Sequence, residues 1–193
     1  YALELSEDDY KILLAFSQNL GVEFSASGWD EESIDFLDKL GVSFFKMASA
    51  DLTNFPLLEH AAKKGKPMIL STGMADMNEI QAALDVLTTH GTEKQNISVL
   101  HCNTEYPTPF EDVNLKAIET MRQDLGLPIG YSDHTRGIEV PIAAVALGAT
   151  IIEKHFTLDR GLPGPDHKAS LEPDELTLMV KAVRHIEAAL GHG

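Results

Sequence analysis

Residues 127–158 read LPIGYSDHTRGIEVPIAAVALGATIIEKHFTL, and this stretch decides the fold. Ile129–Asp133 is a short, mostly apolar run that closes on the polar residues Ser132, Asp133 and His134. Gly137–Leu147 follows with helical periodicity, and Gly148 stands just past it, where a left-handed helix C-cap favours glycine. Thr150–Phe156 is a second strand-like run, again closing on polar groups, Glu153 and His155. A strand, a helix and a strand in such short succession make a βαβ unit, whose two strands lie parallel.

The same unit recurs outward along the chain. Six runs have strand character: Val22–Ser27, Ser43–Ser49, Met68–Thr72, Ile97–Asn103, Ile129–Asp133 and Thr150–Phe156. Between them lie helical segments over Asp30–Leu40, Phe55–Lys64, Asp76–His90, Val113–Leu125 and Gly137–Leu147. Ser6–Asn19 precedes the first run, and Pro173–Leu190 follows the last, with Pro173 in its first turn and Asp174 and Glu175 near the positive dipole end. No Ser/Gly-rich linker divides the chain, so it reads as one α/β domain with a parallel sheet.

A doubly wound sheet normally carries a glycine-rich phosphate loop after its first strand. Neither GxGxxG nor GxxxxGK[ST] occurs here. Instead, every strand run ends in polar residues, which is how (β/α)8 barrels assemble their sites at the C-terminal ends of the strands. The expected fold is therefore a TIM (β/α)8 barrel, with about six of its eight βα units visible in this chain.

Composition narrows the partners. Thirty acidic residues against fifteen basic give the 193-residue chain a formal charge of −15, a surface that repels phosphate backbones and anionic lipids. Neither nucleic acid nor membrane is expected as a partner, and no stretch approaches the roughly 20 apolar residues of a transmembrane helix. The start at Tyr1 has neither the basic nor the apolar region of a signal peptide, and Cys102 stands alone, which together suit a cytoplasmic protein.

Several residues could carry chemistry. His134 and His155, at the tops of adjacent parallel strands, could converge on one exchangeable divalent ion with positions left open for water and substrate, or serve only as hydrogen-bonding groups. Asp133 could steady such a site or cap the following helix. Lys46 interrupts the apolar run Phe44–Ala48: pointing inward it would clamp a phosphate or carboxylate beside the hydroxyls of Ser27, Ser49 and Ser71, while pointing outward its stem would cover a helix. Ser71-Thr72-Gly73-Met74 is either an anion-binding turn or a plain N-cap. Residues 101–109 (HCNTEYPTP) form a proline-stiffened strand exit, and Gly161–Lys168 a long loop beyond the last strand. Cys102 reads as a buried core thiol, and His60, His90, His185 and His192 as surface residues.

These motifs, KMAS (46–49), LSTGM (70–74), HCNTEYPTP (101–109), GYSDHT (130–135), EKHF (153–156) and GPDH (164–167), resemble those of the sialic acid synthase (N-acetylneuraminate synthase-like) family, in order and along nearly the whole chain. The resemblance implies a (β/α)8 barrel followed by a small antifreeze-like domain, in domain-swapped homodimers. It also implies a transferase that condenses phosphoenolpyruvate with N-acetylmannosamine or a related N-acetylated aldose, giving a nine-carbon 2-keto sugar acid and phosphate. Carried over residue by residue, His134 and His155 correspond to the ligands of a divalent metal, typically manganese, with magnesium or cobalt as alternatives. Lys46, Ser27, Ser49, Ser71, Thr104 and Ser132 correspond to the phosphoenolpyruvate-binding set, and Asp51, Tyr106 and Asp166 to positions near the amino sugar. Lys46, His134 and His155 are the expected catalytic residues. On this reading the chain covers residues 1–193 of the barrel, without its first two strands and without the antifreeze-like domain. The rival readings are another phosphoenolpyruvate-condensing keto-acid synthase and a non-catalytic oligomerisation barrel.

Overall fold

The computed structural model describes residues 4–191; Tyr1 and His192, which figure in the reading above, lie outside them. In chain order the elements are α1 (Glu7–Asn19), α2 (Glu31–Leu40), β1 (Phe45–Met47), α3 (Phe55–Ala62), β2 (Met68–Ser71), α4 (Met77–His90), β3 (Ile97–Cys102), α5 (Ala117–Leu125), β4 (Ile129–Asp133), α6 (Glu139–Ala146), β5 (Ile152–Lys154) and α7 (Pro173–Leu190). Local chemistry starts and stops the helices. Ser6, Asp30 and Asp76 accept backbone N–H bonds at the N-termini of α1, α2 and α4, and Gly41 and Gly126 take left-handed conformations at the C-caps of α2 and α5.

The five strands form one parallel sheet in the order β1-β2-β3-β4-β5. A doubly wound sheet reverses its strand order at a switch point. Here the order never reverses, so the singly wound, barrel-type reading holds: the sheet is a partial (β/α)8 barrel with its helices on one face. Register assigns the two faces. Phe45, Met47, Met68, Leu70, Ile97, Val99, Ile129 and Tyr131 share one face and are almost fully buried. They pack with Ile34, Leu37, Leu58, Ala61, Ile80, Leu87, Ile118 and Ala144 from the helices into one core, each large side chain contributing about 2 kcal/mol by leaving water. The opposite, inner face carries Lys46, Ser71, Cys102, Ser132 and Glu153 toward the strand C-termini. Gly130 keeps that face open enough to close-pack, because a Cβ there would sit 2.5 Å from Leu100 Cδ2 and 2.6 Å from the Ile151 carbonyl oxygen.

Two expectations need correction. The run Val22–Ser27 does not form a regular strand; only Ser27 pairs, through a parallel bridge to Lys46. With β1 alone beside it and Val22 exposed, too few ladder bonds form to hold the whole run extended. The helix expected over Val113–Leu125 starts instead at Ala117, after a 3-10 turn at Phe110–Asp112, because Asn114 takes a left-handed φ of 48° that interrupts it. No helix among the described residues is long and apolar enough to cross a membrane.

Candidate active site

At the C-terminal end of the sheet, a depression of about 450 Å³ is lined by Ser27, Lys46, Ser49, Ser71, Thr104, Tyr106, Ser132, His134 and His155, together with Trp29, Met74, Cys102 and Glu153. Nine of the expected site residues thus meet in one place. Two do not line it. Asp51 is buried in a 3-10 turn and accepts a bond from the Asn54 amide, and Asp166 lies in the 3-10 turn Asp166–Ala169, where its carbonyl accepts from Ser170. Asp166 is still near enough to Tyr106 to help hold its phenol protonated, after burial, which is the larger cause.

Lys46 points inward. Its ammonium donates to Ser71 Oγ at 2.8 Å and to the Met47 carbonyl at 3.3 Å, and it lies 3.4 Å from a Glu153 carboxylate oxygen. Glu153 in turn accepts from Ser132 Oγ at 2.7 Å. This carboxylate was not among the expected site residues, although alternation along EKHF puts Glu153 and His155 on the same face. Its partner Lys46 is far away in sequence, and only the curled sheet brings the two together.

The turn after β2 is not an N-cap, since Asp76 caps α4. Thr72 Oγ1 donates to the Leu100 carbonyl, and the Gly73 N–H donates to Ser49 Oγ at 2.9 Å. Gly73 is confined there: a Cβ would lie 2.6 Å from Thr104 Cγ2 and 3.1 Å from Cys102 Sγ. The Cys102 thiol is buried, 3.2 Å from Ser49 Oγ. His101, one residue earlier, faces the helices, bonds the Val113 carbonyl and is held below the usual histidine range by burial.

His134 and His155 stand with ring centroids 5.3 Å apart, and the Tyr106 ring packs against His134 at 4.0 Å. His134 Nδ1 is 2.6 Å from the Asn103 carbonyl oxygen, so this nitrogen carries the proton and Nε2 presents its lone pair. Burial, and after it the neighbouring His155, lowers the His134 pKa, which favours the neutral ring. No group of three or more His, Cys, Asp or Glu suited to a metal occurs among the described residues. The two imidazoles are fewer donors than a closed structural site uses, so any ion they held would keep positions open. Asp133 does not cap α6: it accepts the Thr135 N–H at 3.0 Å and pairs with Lys154 at 2.6 Å behind the sheet. Of the histidines expected at the surface, His185 is exposed, while His60 and His90 are half-buried and bonded to Asp35 and the Val86 carbonyl.

Comparison with known proteins matches the chain to a family. The chain is 50% identical over 191 residues to N,N′-diacetyllegionaminic acid synthase of Campylobacter jejuni, covering 99% of this chain and 57% of that protein. It is 46% identical over 190 residues to N-acetylneuraminate-9-phosphate synthase of Mus musculus, covering 98% and 52% respectively. The chain thus spans just over half the length of these relatives. It superimposes on the crystal structure of N-acetylneuraminic acid (sialic acid) synthetase from Leptospira borgpetersenii with a TM-score of 0.94 at 41% identity, covering 98% of this chain and 66% of that one. The family's own model matches residues 1–193, so the resemblance carried by the motifs holds along the whole chain, which belongs to the NeuB family.

Proposed function

We propose that this chain provides the phosphoenolpyruvate- and metal-binding part of a synthase that condenses phosphoenolpyruvate with an N-acetylated amino sugar. The acceptor would be N-acetylmannosamine or a dideoxy-diacetamido sugar of the legionaminate type, and the products a nine-carbon 2-keto sugar acid and phosphate. The observation that carries this reading is one depression holding a lysine and several hydroxyls beside two facing imidazoles. The names of the relatives agree with it.

In the balanced reaction, C3 of the enolpyruvate forms a bond to the aldehyde carbon, whose oxygen gains a proton. Water adds at C2, and the C2–O bond to phosphate breaks. Lys46 holds the anionic end of phosphoenolpyruvate by giving up its contact with Glu153, while Ser71 stays beside the ammonium as a further donor. Ser27, Ser49, Thr104 and Ser132 line the same wall and fix the orientation that makes attack effectively unimolecular. The Tyr106 ring covers His134 and excludes water from that side. His134 and His155 would hold a divalent ion, manganese in the first instance, which would supply Lewis acidity at the acceptor carbonyl.

The test is phosphate release by the protein carrying this chain, with both substrates, with and without Mn²⁺. Release should need both substrates and the ion, fall by about 100-fold or more in His134→Ala, and show a raised KM for phosphoenolpyruvate in Lys46→Met. Turnover that persists after chelation, or an undiminished His134→Ala, refutes the reading.

A further inference from the structure

We propose that the buried ion pair Asp133–Lys154 is the positioning element of the two-imidazole site, setting the separation of His134 and His155 from behind the sheet. The inference rests on the reading of those histidines as a metal site. Strands β4 and β5 meet in consecutive register pairs: Ser132 opposite Glu153, then Asp133 opposite Lys154. The first pair is joined on the inner face by the Ser132–Glu153 hydrogen bond at 2.7 Å. The second is joined on the helix face by the ion pair at 2.6 Å, with side chains only 3% and 0% exposed. The next residue on each strand is a histidine, and the two rings face each other across the inner face.

The pair grips both flanks of His134. Asp133 Oδ1 accepts the Thr135 N–H at 3.0 Å, and the Lys154 ammonium also donates to the Thr135 carbonyl. Lys154 leads directly into His155, whose carbonyl accepts the Leu171 N–H at 2.9 Å. The backbones carrying both rings are thereby tied to one buried charge pair.

Such a pair is a costly way to join two strands, since desolvating both charges offsets most of their attraction, and apolar residues of similar size often do as well. Stability alone gives no reason to keep it. Geometry does: β5 is a three-residue strand at the edge of the sheet, hydrogen-bonded as a strand to β4 alone. On its other side the tip meets a single isolated bridge, Phe156 to Leu171, with no further strand behind it among the described residues, whereas metal–nitrogen bonds tolerate errors of only about 0.2 Å.

The experiment titrates Mn²⁺ into the wild-type protein and into the double variant Asp133→Leu/Lys154→Met, following binding by calorimetry and the fold by thermal melting. The expected result is a folded double variant whose Mn²⁺ Kd is weaker by about tenfold or more, the size of effect that outer groups have on metal ligands. A folded double variant that binds Mn²⁺ as tightly as wild type overturns the inference and leaves the metal reading standing. A wild-type protein that binds no Mn²⁺ overturns both. Should the double variant not fold, Asp133→Glu decides: it keeps the charge but lengthens the reach by one methylene, so weaker Mn²⁺ binding at an unchanged Tm supports the inference and unchanged binding refutes it.

Discussion

Two lysine–carboxylate pairs lie on opposite faces of the same sheet, and they are built differently. Behind β4 and β5, Lys154 and Asp133 meet at 2.6 Å with 3% and 0% of their side chains exposed. On the inner face, Lys46 and Glu153 stand 3.4 Å apart with 15% and 42% exposed, and the same ammonium also bonds Ser71. The first pair is closed to water and to exchange, so its worth lies in fixed geometry. The second is open: Glu153 also has water and Ser132 as partners, so Lys46 could release it to an anion, as the proposed function requires. The helix face locks its charges, while the inner face keeps them available.

The largest effect should come from breaking the closed pair on one side. Lys154→Met leaves Asp133 buried and unpaired, and should lower unfolding stability by about 3–5 kcal/mol in denaturant melts. A loss under about 1 kcal/mol, the range of exposed pairs, would erase the contrast between the two pairs. Breaking the open pair should do far less to stability. Glu153→Gln keeps an oxygen for Ser132, should change stability by no more than about 1 kcal/mol, and should lower the KM for phosphoenolpyruvate because Lys46 no longer has a competing carboxylate. A collapse of kcat instead would give Glu153 a part in the reaction itself.

A third contrast is conformational. Met74, at the mouth of the depression, is 79% exposed and held at a φ of 66°, a left-handed conformation that costs a non-glycine residue about 1–2 kcal/mol. Glycine would remove that strain at some cost in chain entropy, so Met74→Gly should stabilise the protein by about 0.5–1 kcal/mol, seen as a higher Tm. A lower Tm would mean that the Met74 side chain contributes packing that outweighs the strain.

The smallest effect belongs to the outer helices. There the Lys64 hydrogen bond, and after it His60, lowers the Asp35 pKa from the usual 3.8 to about 2. A carboxylate with a depressed folded pKa contributes stability that is fully present above the ordinary value and is lost as pH falls toward about 2. Asp35→Asn should therefore lower stability slightly at neutral pH, leave it unchanged near pH 2, and so flatten the acid limb of the stability–pH curve below pH 4 or so; an unaltered acid limb would remove Asp35 as its cause.

Much of the architecture was legible before any coordinates. Periodicity and caps located the helices, because both are properties of a few neighbouring residues. Polar groups at the strand ends pointed to a barrel-type site, and alternation around Lys46 pointed inward, as the Ser71 contact bears out. The failures lie where a distant partner decides. Val22–Ser27 has strand composition, yet only Ser27 pairs, since a strand exists only through its neighbours. Asp51 and Asp166 are a separate case: both sit in 3-10 turns outside the lining of the depression, a placement that strand-exit and loop motifs do not specify.

By itself, then, the sequence determined the βα repeat, the family and the residue types gathered at the strand ends, all of which depend on local order along the chain. Only the tertiary structure decided which of those residues touch. The curl of the sheet brings Glu153 to Lys46, and the register of β4 against β5 puts Asp133 opposite Lys154. The physical reason is that side-chain alternation assigns each residue a face, whereas cross-strand register and curvature, set by the packing of the whole core, choose its partner.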